Sequence, residues 1–476
     1  MSQEELFDGA AGIRDDPIDS AGKSPGRRRW GRRRWLGAVA AVVVLAALVA
    51  DLPRPGGGVA ARAIAQAEYP EMAPYPFLES SEYDEAAVDA WFESLRAQGR
   101  DLGDTTSLRS FCAQSARVLL TGAEGENRVC SPLNLYMALA MLAQLTGGTC
   151  REQLLSLLGS GGLDTLRRQA GDVWNSSYRS DGSVTCVLAN SLWLNEDIPF
   201  NQNTLDLLSR DLYASSFQGA MGSEALDEAL QAWLNQQTGD LLEEQAENVH
   251  LEGDTALALA AAVYFRARWQ EPFSPEDTAP QVFHGPNGDV ETEFMRQTAV
   301  DYYFWGERFT ALCRPFTGGG DMWFILPAEG TAPEALLSDP EAAEFLFGES
   351  RPQWENKKYL FVHEAIPKFD VGSQLNLLEG LRAMGVTDVL DPARSDFTPM
   401  AGDTQGIALT QAGHAARVVI DEEGCTAAAF TVMAADSGGP PEEEVDFVLD
   451  RPFLFCVTGD NGLPLFLGVV NSPGER

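Results

Sequence analysis

The run Glu422–Thr431, EEGCTAAAFT, constrains the fold most, because ten consecutive residues carry a single large side chain. A strand that joins a packed sheet must point small side chains inward, and side chains alternate faces with period two. Cys425, Ala427, Ala429 and Thr431 fall on one face, while Thr426, Ala428, Phe430 and Val432 fall on the other. The first face is uniformly small. The bulk of Phe430 lies on the second, where it would look outward. Glu422 and Glu423 lead into Gly424, which gives the backbone freedom to switch from strand to loop. No proline interrupts residues 422–439, so every amide there can donate to a ladder. Taken alone, an Ala-rich helix or an ordinary buried strand fits the same run.

The chain has 476 residues, 45% of them hydrophobic, enough for one large core or two medium ones. Its 34 basic and 70 acidic side chains give a formal charge of -36, which repels phosphate backbones and sulfated polysaccharides. No nucleic-acid or heparin-like partner is expected. Cys112, Cys130, Cys150, Cys186, Cys313, Cys425 and Cys456 lie far apart, with no CxxC pair and no Cys/His cluster for zinc. They read as buried hydrophobic residues rather than a disulfide framework.

Near the N-terminus, six arginines (Arg27–Arg29 and Arg32–Arg34) precede the apolar run Leu36–Ala50. The positive-inside rule keeps the arginines cytoplasmic and exports the chain beyond Leu52. An uncleaved signal anchor is favoured over a cleaved signal peptide, because Leu48-Val49-Ala50 is a mediocre cleavage site. The expected organisation is a cytoplasmic tail over 1–34, a transmembrane helix over 35–52, a stalk over 53–104 and one compact domain over 105–476. This makes the protein surface-tethered or, if cleaved, secreted. Within the stalk, Asp84 to Arg96 has the spacing of an amphipathic helix. Helical spacing over Thr105 to Leu120 and Leu133 to Leu145 alternates with buried strands at Val184 to Leu194, Ala256 to Phe265 and Met322 to Leu326, an α+β pattern. No catalysis is expected: four histidines are few, none sits in HExxH or beside GxSxG, and no glycine-rich stretch precedes Lys-Ser or Lys-Thr. No cofactor or metal is expected either.

The segment FVLDRPFLFCV (Phe447 to Val457) resembles the strand that serpins carry just after their reactive-centre loop. RVCSPLNLYMALAMLAQLTGGTCREQLLSLLG, ANSLWLNEDIPFNQ, AAAVYFRARWQEPF, MWFILPAEG and IPKFDVGSQLNLLEGLRAMG resemble other serpin landmarks in the same order, covering about Leu108 to Pro473. The resemblance is to a bacterial-type member, membrane-anchored or exported. It implies three β-sheets with eight or nine helices and an exposed loop that inserts into the central sheet once a serine protease has cut it. The partner is then the target protease, held as a covalent acyl-enzyme, and the inhibitor is a monomer. The hinge would be Glu422, Glu423, Gly424, Cys425, Thr426, Ala427, Ala428, Ala429 and Thr431. A sheet-opening gate would use Ser131, His414 and Trp269, although the asparagine usual before AVYF is Ala261 here. The family's loop length, counted from either end, puts the scissile bond at Gly438–Gly439, within a window from Asp436 to Glu442. The fourteen residues from Cys425 to Gly438 would extend roughly 46 Å. No Lys or Arg lies between Arg417 and Arg451, so an elastase-like or subtilisin-like protease is expected, with a glutamate-directed enzyme cutting near Glu442 left open. Oxidation of Cys425 would block its inward fit. A non-inhibitory serpin acting as a binding or chaperone protein is the alternative.

Overall fold

The computed structural model of the chain describes residues 51–53, 59–77, 84–99, 101–122, 125–349, 351–402, 406–425 and 443–474. Strands β1 (Asp51–Pro53) and β2 (Val59–Ala65) are followed by helices α1 (Glu85–Ala97) and α2 (Thr106–Leu120). Next come β3 (Arg128–Cys130), α3 (Pro132–Leu145), α4 (Gly148–Leu157) and α5 (Leu163–Ser177). Strands β4 (Arg179–Ser180) and β5 (Val184–Asn195), helix α6 (Gln202–Leu212), β6 (Ala214–Gly219), α7 (Glu224–Thr238) and β7 (Leu257–Arg268) complete the first half. The second half is mostly strand: β8 (Ala279–Gly285), β9 (Gly288–Trp305), β10 (Phe309–Pro315), β11 (Asp321–Pro327), β12 (Lys357–Pro367), β13 (Phe369–Asn376), β14 (Gly413–Ile420), β15 (Gly424–Cys425), β16 (Glu444–Val448), β17 (Phe453–Thr458) and β18 (Pro464–Val470). Among the described residues there are eleven α-helices, nine of them with seven residues or more, and three sheets of seven, nine and two strands. This is the α+β architecture expected from the sequence.

The seven-stranded sheet runs β1-β2-β6-β5-β7-β15, with β4 on β5. Strand β5 is buried on both faces, as its nearly unbroken apolar run predicts. Leu188, Leu192 and Leu194 enter the main core, while Ala189 and Trp193 meet Leu226, Leu230 and Trp233 of α7 in a smaller one. Helix α3 is apolar all round and correspondingly buried; Ser131 caps it, its Oγ accepting from the Asn134 amide at 3.3 Å. None of the seven cysteines is in a disulfide, and six of them are buried.

The N-terminal expectations need correction. Residues 1–50 lie outside the described residues, but Asp51 and Leu52, read as the end of a transmembrane helix, form a strand paired with Arg62 and Ala61. Among the described residues no helix is long and apolar enough to cross a membrane, and the tethered cell-surface assignment is overturned. Nor are residues 59–97 a free stalk. Strand β2 extends the sheet beyond β6, with Ala63 opposite Phe217, and Ala61 is buried in the smaller core. The Tyr69 ring lies 5.1 Å from Trp174 and 5.7 Å from Tyr178. Helix α1 forms where its spacing predicts, capped by Asp84, and its Trp91 Nε1 donates to Asp181 Oδ2 at 2.9 Å. The aromatic residues Tyr69 and Trp91 are the ones that dock this segment.

Candidate functional site

Strands β13 and β14 form a separate two-stranded sheet, and no backbone ladder joins β14 to β7. Among the described residues the edge of β7 that faces it is therefore without a strand partner along most of its length, and Leu257 to Ala261 are all partly exposed. Among those residues that edge is met only at one end. Gly424 and Cys425, as β15, pair antiparallel with Arg268 and Ala267. The chain gets there from β14 through a tight turn in which Asp421 Oδ1 accepts from the amides of Glu423 (2.9 Å) and Gly424 (3.2 Å). Gly424 has φ +151°, and a Cβ there would lie 2.4 Å from the Ala267 carbonyl oxygen, so no other residue fits.

Trp269 holds this turn from below. Its amide donates to the Glu423 carbonyl at 3.1 Å and its Nε1 to the Asp421 carbonyl at 2.9 Å, while its ring stacks on Phe316 with centroids 5.0 Å apart. Glu422 is tied to the neighbouring sheet. Its carboxylate accepts from Thr278 Oγ1 at 2.9 Å and pairs with Lys368 Nζ at 2.7 Å; Lys368 also bonds Glu293 at 2.9 Å. Burial alone would raise the Glu422 carboxyl, but the Lys368 hydrogen bond and charge outweigh it and hold it below its ordinary value. Cys425 is 5% exposed and packs into the main core, the inward orientation that period two assigns it. Burial pushes its thiol up to about 12, so the reactive thiolate that an oxidative switch needs does not form at neutral pH. Thr426, Ala427, Ala428, Ala429, Thr431, Gly438 and Gly439 lie outside the described residues.

Lower in the slot, the Ser131 amide donates to His414 Nε2 at 2.9 Å, joining the start of α3 to β14. His414 is 4% exposed, and burial pushes its imidazole down to about 4. Ala261 supplies no amide here. Directly opposite it on β5 stands Asn190, on the same face as the core residues Leu188 and Leu192; its Oδ1 is buried with no partner among the described residues, and its Nδ2 donates to the Leu188 carbonyl at 3.2 Å. The sheet thus carries a buried asparagine one strand away from the expected position.

The His414 geometry sets a pH dependence. The unfolded chain binds a proton near 6.5 and the folded one only near 4, so this group's stabilisation is complete above 6.5 and is lost as pH falls toward 4. The loss is about 3 kcal/mol at the acid end. Melting curves of the wild type and His414→Gln between pH 7 and 4 should show the larger fall in Tm for the wild type; parallel curves would contradict this.

A two-residue rung, Gly424 and Cys425, paired at one end of a strand edge that no other described strand joins matches one family pattern. The family model described as Serpin (serine protease inhibitor) matches residues 106–473. The chain belongs to the serpin family. Similar curated serpins include Serpin-Z1C of Triticum aestivum, 28% identical over 367 residues, which cover 73% of this chain and 90% of that protein. Serpin-ZX of Arabidopsis thaliana is 26% identical, covering 78% of this chain and 99% of its own. These are plant proteins, and the bacterial-type, membrane-anchored assignment finds no support in them. Among solved structures, the native state of the thermophilic serpin tengpin superposes with a TM-score of 0.69 at 20% identity, covering 86% of this chain and 97% of its own. Arabidopsis AtSerpin1 in its native stressed conformation also gives 0.69, at 24% identity over 79% of this chain and 99% of its own. The likeness establishes the serpin fold.

Among the serpin landmarks, sequence reasoning passed over Lys368, Asp421 and Asn190. Lys368 and Asn190 lie inside segments already singled out, IPKF and ANSLWL. A lysine next to a buried strand and an asparagine in an otherwise apolar one were the available signals.

Proposed function

We propose that this serpin is an irreversible, loop-insertion inhibitor of serine-type endopeptidases with elastase-like or subtilisin-like preference. The observation that carries the proposal is the pairing of Gly424 and Cys425 with β7, the first rung of a strand whose remaining path is the unladdered gap between β7 and β14. The protease serine Oγ attacks the Gly438 carbonyl, the Gly438–Gly439 bond breaks, the Gly439 amine leaves with a proton, and Gly438 remains esterified to the enzyme. Residues 425–438 then zip into the gap from the hinge downward, each exchanging exposed backbone groups for ladder bonds on both sides. Glu422, Glu423, Trp269 and Asp421 hold the starting rung, and Ser131 with His414 forms the gate lower down. The hinge composition supports this mechanism, because the inward positions Cys425, Ala427, Ala429 and Thr431 are all small.

Incubation with subtilisin-like and elastase-like proteases is expected to give SDS-stable one-to-one complexes, and mass spectrometry of the released C-terminal peptide should begin at Gly439. Complexes formed only with a trypsin-like enzyme would refute the specificity. No complex with any protease would favour a binding or chaperone role.

A further inference from the structure

Tyr302 and Tyr359 are the most exposed large hydrophobic side chains among the described residues, at 46% and 51%. They stand directly opposite each other on β9 and β12, with ring centroids 5.0 Å apart and Lys357 Nζ 5.2 Å over the Tyr302 ring. The next pair on the same face is Val300 and Phe361, both partly exposed, and opposite Phe361 stands the exposed Glu444 of β16. Asp446 follows on that face, also exposed. The result is an apolar, tyrosine-rich sheet face with an acidic margin. Contiguous exposed apolar surface of this kind usually marks contact with another protein, and tyrosine is a favoured anchor there.

Its position names the occupant. Strand β16 runs parallel to β12, the Phe361 amide donates to the Glu443 carbonyl at 3.0 Å, and Lys358 Nζ pairs with the Glu443 carboxylate at 2.5 Å. The chain therefore arrives at Glu443 from the Tyr359 end of β12. Gly439 is four residues earlier, at most about 14 Å along the chain. A protease whose cleft holds the 438–439 bond is much wider than that, which brings its body within reach of Tyr359 and Tyr302.

We propose that the face formed by Val300, Tyr302, Tyr359 and Phe361 is a second contact surface for the target protease, matching an apolar patch with basic margins beside that enzyme's cleft. This rests on the loop-insertion mechanism above and adds to it a determinant of partner choice outside the loop. The acidic margin steers encounter with such a partner, and the tyrosines hold it while the loop enters the cleft.

The test is the second-order rate of complex formation with a subtilisin-like protease, for the full-length wild type and the double variant Tyr302→Ser/Tyr359→Ser. The expected result is a fall of about tenfold in rate, with stoichiometry of inhibition and the thermal gain after loop cleavage unchanged, since neither residue touches the slot. Tyr302→Thr/Tyr359→Thr, with better strand formers, serves if the serine pair fails to fold. An unchanged rate overturns this proposal alone. Self-association of the wild type that the variant abolishes also overturns it, because the face then serves a second copy of the chain. Absence of any complex with the wild type overturns the inhibitory mechanism and this proposal together.

Discussion

Replacing Cys425 with arginine is expected to turn the inhibitor into a substrate, raising the stoichiometry of inhibition at least about tenfold. Cys425 is 5% exposed and packs into the main core, so the substitution forces a guanidinium into an apolar pocket whose nearby charge, the Asp421 carboxylate, is already engaged by the Glu423 and Gly424 amides. Burying an unpaired charge costs several kcal/mol, and each 1.4 kcal/mol is a factor of ten in the competition between insertion and hydrolysis of the acyl-enzyme. The loop is then cut and the protease released. Titration of residual protease activity, with cleaved and complexed forms separated on a denaturing gel, measures the partition. Cys425→Ser should retain inhibition, because only size and polarity at the first rung change slightly. Inhibition by Cys425→Arg at the wild-type stoichiometry would show that this position need not stay packed in the sheet for the loop to insert.

The largest loss of stability is expected at a site remote from the loop, on substituting Arg179 with alanine. The Arg179 and Asp181 side chains are 3% and 0% exposed and meet at 2.5 Å; Arg179 also pairs with Asp460 and donates to the Gly318 carbonyl at 3.0 Å. Burial would raise the Asp181 carboxyl, but the charge of Arg179 and hydrogen bonds from Val184, Trp91 and Ser183 outweigh it and hold it below its ordinary value. Removing one member of a buried pair leaves the other charge uncompensated, a cost of about 3–5 kcal/mol. The remaining donors to Asp181 place this case at the lower end. Denaturant unfolding of Arg179→Ala, with Arg179→Lys as the control that keeps the charge, would measure it; a loss below about 1 kcal/mol would contradict the assigned role. The same network anchors the N-terminal helix, since Trp91 lies 5.4 Å beneath the Arg179 guanidinium and bonds Asp181.

Much of this was legible in the residues because local pattern and tertiary role coincide. The Ser131-Pro132 cap, the two-faced apolar run of β5 and the inward burial of Cys425 each follow from a rule that holds within a few residues. The N-terminal segment misled for the opposite reason. Residues 59–97 are alanine-rich, proline-containing and interspersed with acids, and what docks them is a handful of aromatics, Tyr69, Tyr75 and Trp91, whose partners lie roughly 100 residues away in the sequence. The Ser131–His414 contact and its surroundings were half legible. His414 could be placed by counting from Gly424, but Asn190 could not, because its relation to Ala261 exists only in the register of β5 against β7. Lys368 and Asp421 were hidden similarly: the Lys368 pairing with Glu422 joins two strands far apart in the chain.

The central claim is that the gap between β7 and β14 receives the cut loop as a new strand. Thermal unfolding before and after limited cleavage of the loop tests this most directly. Insertion should raise Tm by more than about 10 °C, since a domain of this size needs several kcal/mol of added stability to move that far. An unchanged or lower Tm, with the loop shown to be cut between residues 436 and 442, would contradict it.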